Sequence, residues 1–181
     1  MSTLIINGSP RAQGNCAQIV EKMGGALGNA RRVDVYRTRI APCQDCRSCH
    51  KTPGCAIKDD MDAVLDEGVK NIVILSPVYM GTLTPPMLAL ATRFQADYTA
   101  KRFLKAPIQR GLKRAVLILV GGGDGKPDEA LRMGKMIARG LNASLEEPDI
   151  HMYLNTDHAP AVSDESFVRG IQNSLGRFQT L

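Results

Sequence analysis

The stretch Leu4-Ile5-Ile6-Asn7-Gly8-Ser9-Pro10-Arg11-Ala12-Gln13-Gly14-Asn15-Cys16 runs from apolar residues through a turn into a helical pattern. Leu4–Ile6 reads as a short buried strand. From Gln13 to Leu27, Cys16, Ile19, Val20, Met23 and Leu27 recur on one helical face. The unpaired N–H groups of a helix start, together with the helix dipole, favour an anion such as phosphate. Ser9 and Asn15 add donors and Arg11 adds positive charge. The loop lacks both the G-K-[ST] ending of a P-loop and the G-x-G-x-x-G pattern. It therefore reads equally as a plain strand-to-helix turn.

Working outward, the same alternation recurs. Arg32–Tyr36 alternates, with Val33 and Val35 on one side. Asp59 or Asp60 can cap a helix presenting Met61, Val64, Leu65 and Val69. Ile72–Leu75 and Ala115–Val120 read as central strands. Pro85 or Pro86 opens a helix running to about Ala96. Pro127 opens another, with Met133, Met136, Ile137 and Leu141 inward. Ile150, Met152 and Leu154 form a weaker strand. Ser163 can cap a last helix carrying Phe167, Ile171, Leu175 and Phe178. Five repeats of strand then helix predict an α/β fold, a parallel sheet covered on both faces. Right-handed crossovers then favour the flavodoxin-like three-layer sandwich, a five-stranded parallel sheet of order 2-1-3-4-5. Residues 1–181 are expected to form one domain, with a cysteine-rich insertion at about 41–58.

Composition narrows the function classes. No apolar run reaches the roughly 18 residues of a membrane span, and no signal peptide is visible. A cytoplasmic chain with reduced thiols is expected. The net charge is +5, and Lys101, Arg102, Lys105, Arg110, Lys113 and Arg114 follow one another without an intervening acid. With 4% aromatic residues and no Trp, a stacking platform for nucleic acid is poorly supplied, so the basic surface reads as solvated and anion-favouring.

For order 2-1-3-4-5, ligands bind beyond the carboxyl ends of the strands, where strands 1 and 3 part. Three loops meet there: Gly8–Asn15, Ser76–Leu83 and Gly121–Lys126. In the second, prolines set the chain direction, Gly81 permits close approach of a flat ligand, and Tyr79 offers a ring face. The third is Gly121-Gly122-Gly123-Asp124-Gly125. It suits backbone contact with a planar ligand, or else a mobile turn.

Four of the five cysteines, Cys43, Cys46, Cys49 and Cys55, lie within thirteen residues as C-x2-C-x2-C-x5-C. Four thiolates this close can converge on one metal centre. The first three suit a cubane iron–sulfur cluster, although ferredoxin runs use x3 before a fourth cysteine that precedes Pro. Zinc could instead take the four thiolates, or use His50, although its sites usually pair two separated C-x2-C units. An empty or oxidised set of thiols stays open. Cys16 reads as a buried small apolar residue rather than a fifth ligand.

The segments GSPRAQGN, IAPCQDCRSCHKTPGCAIKDDMD, SPVYMGTLTPPM and VGGGDG, in this order, resemble the NADPH-dependent FMN reductase family, over Leu4 to about Leu141. The cysteine spacing is similar to that of the iron–sulfur flavoproteins. The resemblance implies that Ser9, Arg11, Gly14 and Asn15 hold the FMN phosphate, with Cys16 where the family usually places Thr or Ser. It implies that Pro77, Val78, Tyr79, Met80 and Gly81 line the isoalloxazine ring, and that Gly121, Gly122 and Gly123 meet its pyrimidine edge. It further implies a [4Fe-4S] cluster on Cys43, Cys46, Cys49 and Cys55 and a homodimer or homotetramer. Where the family helix carries Lys and an Asp-Arg pair, Leu90–Arg93 keeps only Arg93, which puts the family's dimer contacts in question.

The expected activity is electron transfer from NAD(P)H through FMN to a flavin, quinone or other acceptor, with no side chain needed as acid or base. An iron–sulfur electron carrier fed by a ferredoxin is the alternative. A zinc-stabilised module without flavin is a second.

Overall fold

The computed structural model describes residues 2–123 and 125–179. Six strands form one parallel sheet: β1 (Thr3–Asn7), β2 (Arg31–Asp34), β3 (Asn71–Pro77), β4 (Lys113–Val120), β5 (Ala143–Ser144) and β6 (Ile150–Tyr153). The order is β2-β1-β3-β4, with β5 and β6 both on the outer edge of β4. β5 pairs with Lys113–Arg114 and β6 with Leu117–Val120, so the fifth strand position is filled in two pieces. Pro148 lies in the break, in a 3-10 turn over Glu147–Asp149. A residue without an N–H cannot extend the ladder there. The flavodoxin-like order holds.

The helices are α1 (Asn15–Lys22), α2 (Gly24–Leu27), α3 (Pro85–Thr92), α4 (Gln95–Thr99), α5 (Asp128–Gly140) and α6 (Glu165–Gly176). The sheet separates two apolar clusters. Ile72, Ile74, Leu117 and Leu119 pack with Met87 and Leu90 of α3 and Ile137 of α5. Val73, Leu75, Val116 and Ile118 pack with Cys16 and Ile19 of α1 and Ile171 and Leu175 of α6. Alternate residues of β3 and β4 thus enter opposite layers, which is why both strands read as unbroken apolar runs.

Four sequence expectations are corrected. Among the described residues the β2–β3 connection carries no α-helix, only 3-10 turns over Ser48–His50 and, at the expected helix, Asp60–Ala63. Asp59 does cap the latter, accepting from the Met61 N–H, and Met61 and Val64 are buried as expected. The turn does not propagate because the Asp66 side chain accepts from the Gly68 N–H, an Asx turn that competes with helix. The cap of α6 is Asp164, which accepts from the Phe167 N–H at 2.9 Å; the Ser163 hydroxyl donates to the Pro160 carbonyl instead. Met136 is exposed. The buried stripe of α5 is Ala130, Gly134, Ile137 and Ala138, because α5 approaches β4 so closely that a Cβ on Gly134 would stand 2.6 Å from Leu117 Cδ2. Finally, α1 ends at Lys22, and α2 is a separate four-residue turn.

Candidate functional site

β1 and β3 are neighbours, and the connections leaving them run to opposite faces of the sheet, α1 on one and α3 on the other, which opens a crevice at their carboxyl ends. Three loops are pinned there. The Thr84 hydroxyl donates to the Gly8 carbonyl at 2.9 Å, and the Gly8 N–H donates to Leu75 O at 2.7 Å. The Val78 N–H donates to Val120 O at 2.7 Å, which joins the second loop to the third. Gly8 is wedged between Ser76 and Met87: a Cβ there would lie 2.8 Å from Ser76 Oγ and 2.7 Å from Met87 Cγ.

In the first loop the Ser9 N–H donates to Asn7 Oδ1 and Ser9 Oγ accepts from the Arg11 N–H at 3.2 Å. Ser9 is buried and shapes the turn. Gly14, the residue before α1, brings no capping side chain to the first N–H groups of the helix. Those groups stay available to an anion. Asn15 Oδ1 accepts from the Ala161 N–H at 2.7 Å, so the part of this side chain that can donate outward is Nδ2. The Arg11 stem lies against Gly14, where a Cβ would meet its Cβ at 3.0 Å, and Arg11 is exposed.

In the second loop, Tyr79 and Thr82 exchange backbone hydrogen bonds of 2.8 and 3.0 Å. Met80 (φ 50°) and Gly81 (φ 78°) form the tip, a type I′ turn. Gly81 is required twice over, since a Cβ there would also stand 2.9 Å from Lys126 O. Met80 is fully exposed, whereas Val78 is partly buried. In the third loop, two of the glycines are explained by their neighbours. A Cβ on Gly121 would lie 3.0 Å from Leu154 Cδ2, and one on Gly122 would run into the Asp157 carboxylate. Asp124 lies outside the described residues.

Two residues escaped the sequence reading. Tyr36 follows β2. Partial burial and then the neighbouring Tyr79 push its phenol pKa up, against a hydrogen bond with Thr84, which places it beside the Gly8–Thr84 contact. Asp157 follows β6. Both stand just past the carboxyl end of a strand, which was the available signal.

Cys43, Cys46, Cys49 and Cys55 all line one small chamber together with His50 and Arg93. All are free thiols. Asp45 (φ 49°) and Arg47 (φ 58°) flank Cys46 in left-handed conformations, which cost about 1–3 kcal/mol each and re-aim the chain around it. The Ser48 N–H and hydroxyl beside Cys46 hold its thiol below the usual range. The chamber holds about 30 Å³, room for a water or two rather than a cubane. Among the described residues no three His, Cys, Asp or Glu side chains converge closely enough to hold a metal ion. As folded, the chamber does not fit a [4Fe-4S] centre.

Arg93, just past α3, fastens the base of this segment. Its Nη1 donates to Asp59 Oδ2 at 2.6 Å and to Ala41 O at 3.1 Å; its Nη2 donates to Ile57 O at 3.0 Å. Thr92 Oγ1 accepts from the Cys43 N–H at 2.9 Å. The eight residues of α3, roughly 12 Å long, therefore connect the crevice at Thr84 to the cysteine segment at Thr92 and Arg93.

Cys16 belongs to the second apolar cluster. Burial pushes its thiol up to about 12, against a hydrogen bond from Ser9. In native protein it should resist alkylation by iodoacetamide while the other four cysteines react, as read by peptide mass spectrometry. Because its folded pKa is raised, the stability it contributes is complete below about pH 9 and is lost between pH 9 and 12. Cys16→Ser is expected to flatten that alkaline loss in unfolding curves.

A profile of the NADPH-dependent FMN reductase family matches residues 1–146. An iron-sulfur flavoprotein of Archaeoglobus fulgidus is 32% identical over 99 residues, covering 50% of this chain; the chain spans about half the length of that relative. Among solved structures, RosB with a bound 8-demethyl-8-formylriboflavin-5'-phosphate intermediate superposes with a TM-score of 0.67 at 14% identity, covering 97% of this chain and 76% of that one. An FMN-dependent NADH-azoreductase from Bacillus anthracis, in complex with FMN, gives 0.65 at 14% identity, covering 98% and 99%. These two likenesses concern the fold. The profile spans the crevice loops, the cysteine segment and α5, and on that match the chain belongs to the NADPH-dependent FMN reductase family of oxidoreductases.

Proposed function

We propose that this chain is an FMN-dependent NAD(P)H oxidoreductase passing electrons from a reduced nicotinamide to a flavin, quinone or other acceptor. One observation carries the reading: three pinned loops gather at the switch point, with an uncapped helix N-terminus and Arg11 at one end and exposed Tyr79 at the other. The residues fit the cofactor. The first N–H groups of α1, Asn15 Nδ2 and Arg11 would hold its phosphate. Val78, Tyr79 and the backbone of Gly121–Gly123 would position the ring, and the Gly8–Thr84 bond would keep the two loops in register. Bound FMN supplies hydride and electron transfer. The protein orients it and needs no acid or base.

The test is FMN titration followed by flavin fluorescence and NAD(P)H oxidation. Saturable binding with a yellow two-band spectrum is expected; failure to bind in excess FMN would overturn the reading. Arg11→Ala should weaken FMN binding about tenfold or more, the usual worth of a charge-assisted hydrogen bond, without altering the unfolding midpoint. The name of the Archaeoglobus relative raises a second reading, a carrier with an iron–sulfur centre reduced by ferredoxin, but the four-cysteine chamber as folded is too small for that centre. Iron and zinc analysis of anaerobically purified protein separates the two, since a carrier would hold iron and ignore NAD(P)H.

A further inference from the structure

We propose that Asp157 is a potential-setting residue of the flavin site, its carboxylate standing on the Gly121–Gly123 rim and opposing the gain of negative charge by bound flavin. The proposal rests on the FMN reading above.

The segment after β6 is zipped onto the loop after β4. The Gly121 N–H donates to Tyr153 O at 2.8 Å, the Thr156 N–H to Gly121 O at 2.9 Å and the Asp157 N–H to Gly122 O at 3.1 Å. The His158 and Ala159 N–H groups both close on Asn155 O at 3.1 Å, so the turn is held by backbone alone. The Asp157 side chain fills the space a side chain at 122 would need: a Cβ on Gly122 would stand 2.7 Å from both Cγ and Oδ2, and one on Gly123 3.5 Å from Oδ2. Among the described residues no cation pairs with this carboxylate. An unpaired negative charge thus lies against the peptide groups that would meet the pyrimidine edge of FMN. Reduction adds electron density to that edge, so the carboxylate disfavours the reduced form and lowers the midpoint.

The test is a redox titration of FMN-loaded wild-type protein, Asp157→Asn and Asp157→Ala. Both variants keep the backbone ladder. The expected result is a shift of about tenfold in favour of the reduced cofactor, about 30 mV upward for a two-electron couple, with oxidised-FMN affinity unchanged within twofold. Because the carboxylate is exposed, the difference should shrink at 1 M salt. A midpoint that stays put or falls while FMN still binds overturns the proposal. So does a change confined to thermal stability, which a merely structural aspartate would give. If wild-type protein takes up no FMN, the underlying reading fails first and the proposal with it.

Discussion

Arg93→Ala is expected to lower the unfolding free energy by about 3–5 kcal/mol and to open the cysteine segment. The Arg93 and Asp59 side chains are 3% and 4% exposed, and their contact is 2.6 Å. Removing the guanidinium strands a buried carboxylate, which is the expensive way to break a buried pair. It also removes the donors to Ala41 O and Ile57 O that hold the two ends of the segment together. Replacing both partners, as Arg93→Leu with Asp59→Leu, should recover much of the loss. Urea unfolding measures the cost, and thiol-labelling rates at Cys43, Cys46, Cys49 and Cys55 measure the opening. A loss under about 1 kcal/mol with unchanged labelling would remove Arg93 from this role. The pair also sets an acid limit. Burial works to raise the Asp59 pKa, but the Ala41 N–H, Arg93 and the Met61 N–H together hold it low. Its stabilisation is therefore present above about pH 4 and lost as the pH falls below that, and the loss should be absent in Asp59→Asn.

Gly8→Val should destabilise the fold by about 1–3 kcal/mol and weaken FMN binding at least tenfold. The added carbon would collide with Met87 Cγ and with Ser76, which is fully buried and cannot retreat. Relief requires the first loop to lift off the second, breaking the Thr84–Gly8 contact and moving the N-terminus of α1. Gly25→Ala is the control: nothing lies within 4 Å of the added carbon, so stability should hold or rise slightly. Urea unfolding and flavin fluorescence together separate a folding defect from a binding defect. Unchanged binding in Gly8→Val would mean that the first loop does not hold the cofactor.

Much of the fold was legible because its signals are local. β3 and β4 are unbroken apolar runs, and Pro85 and Pro127 mark helix starts. The helix expected after Asp59 shows the limit: its apolar spacing was right and Met61 and Val64 are buried, yet the Asp66–Gly68 turn and the tie from Asp59 to Arg93 left only a short turn. In α5 Ile137 and Leu141 are buried as read, but Met136 is exposed, because the close approach of Gly134 to Leu117 sets which side faces the sheet. At the crevice, the glycines at 121 and 122 looked like room for a ligand. Their missing side chains are replaced by Leu154 and Asp157, more than thirty residues along the chain.

The amino-acid order alone determined the parallel α/β layering and the meeting of three loops at the switch point, because strand runs, helix starts and right-handed crossovers are short-range properties of the chain. Only the tertiary structure decided what Arg93 does, why Gly122 has no side chain, and that the four cysteines share a chamber too small for a cubane. Each of those outcomes depends on which distant side chain arrives to fill a space or neutralise a charge, and no local pattern carries that energy.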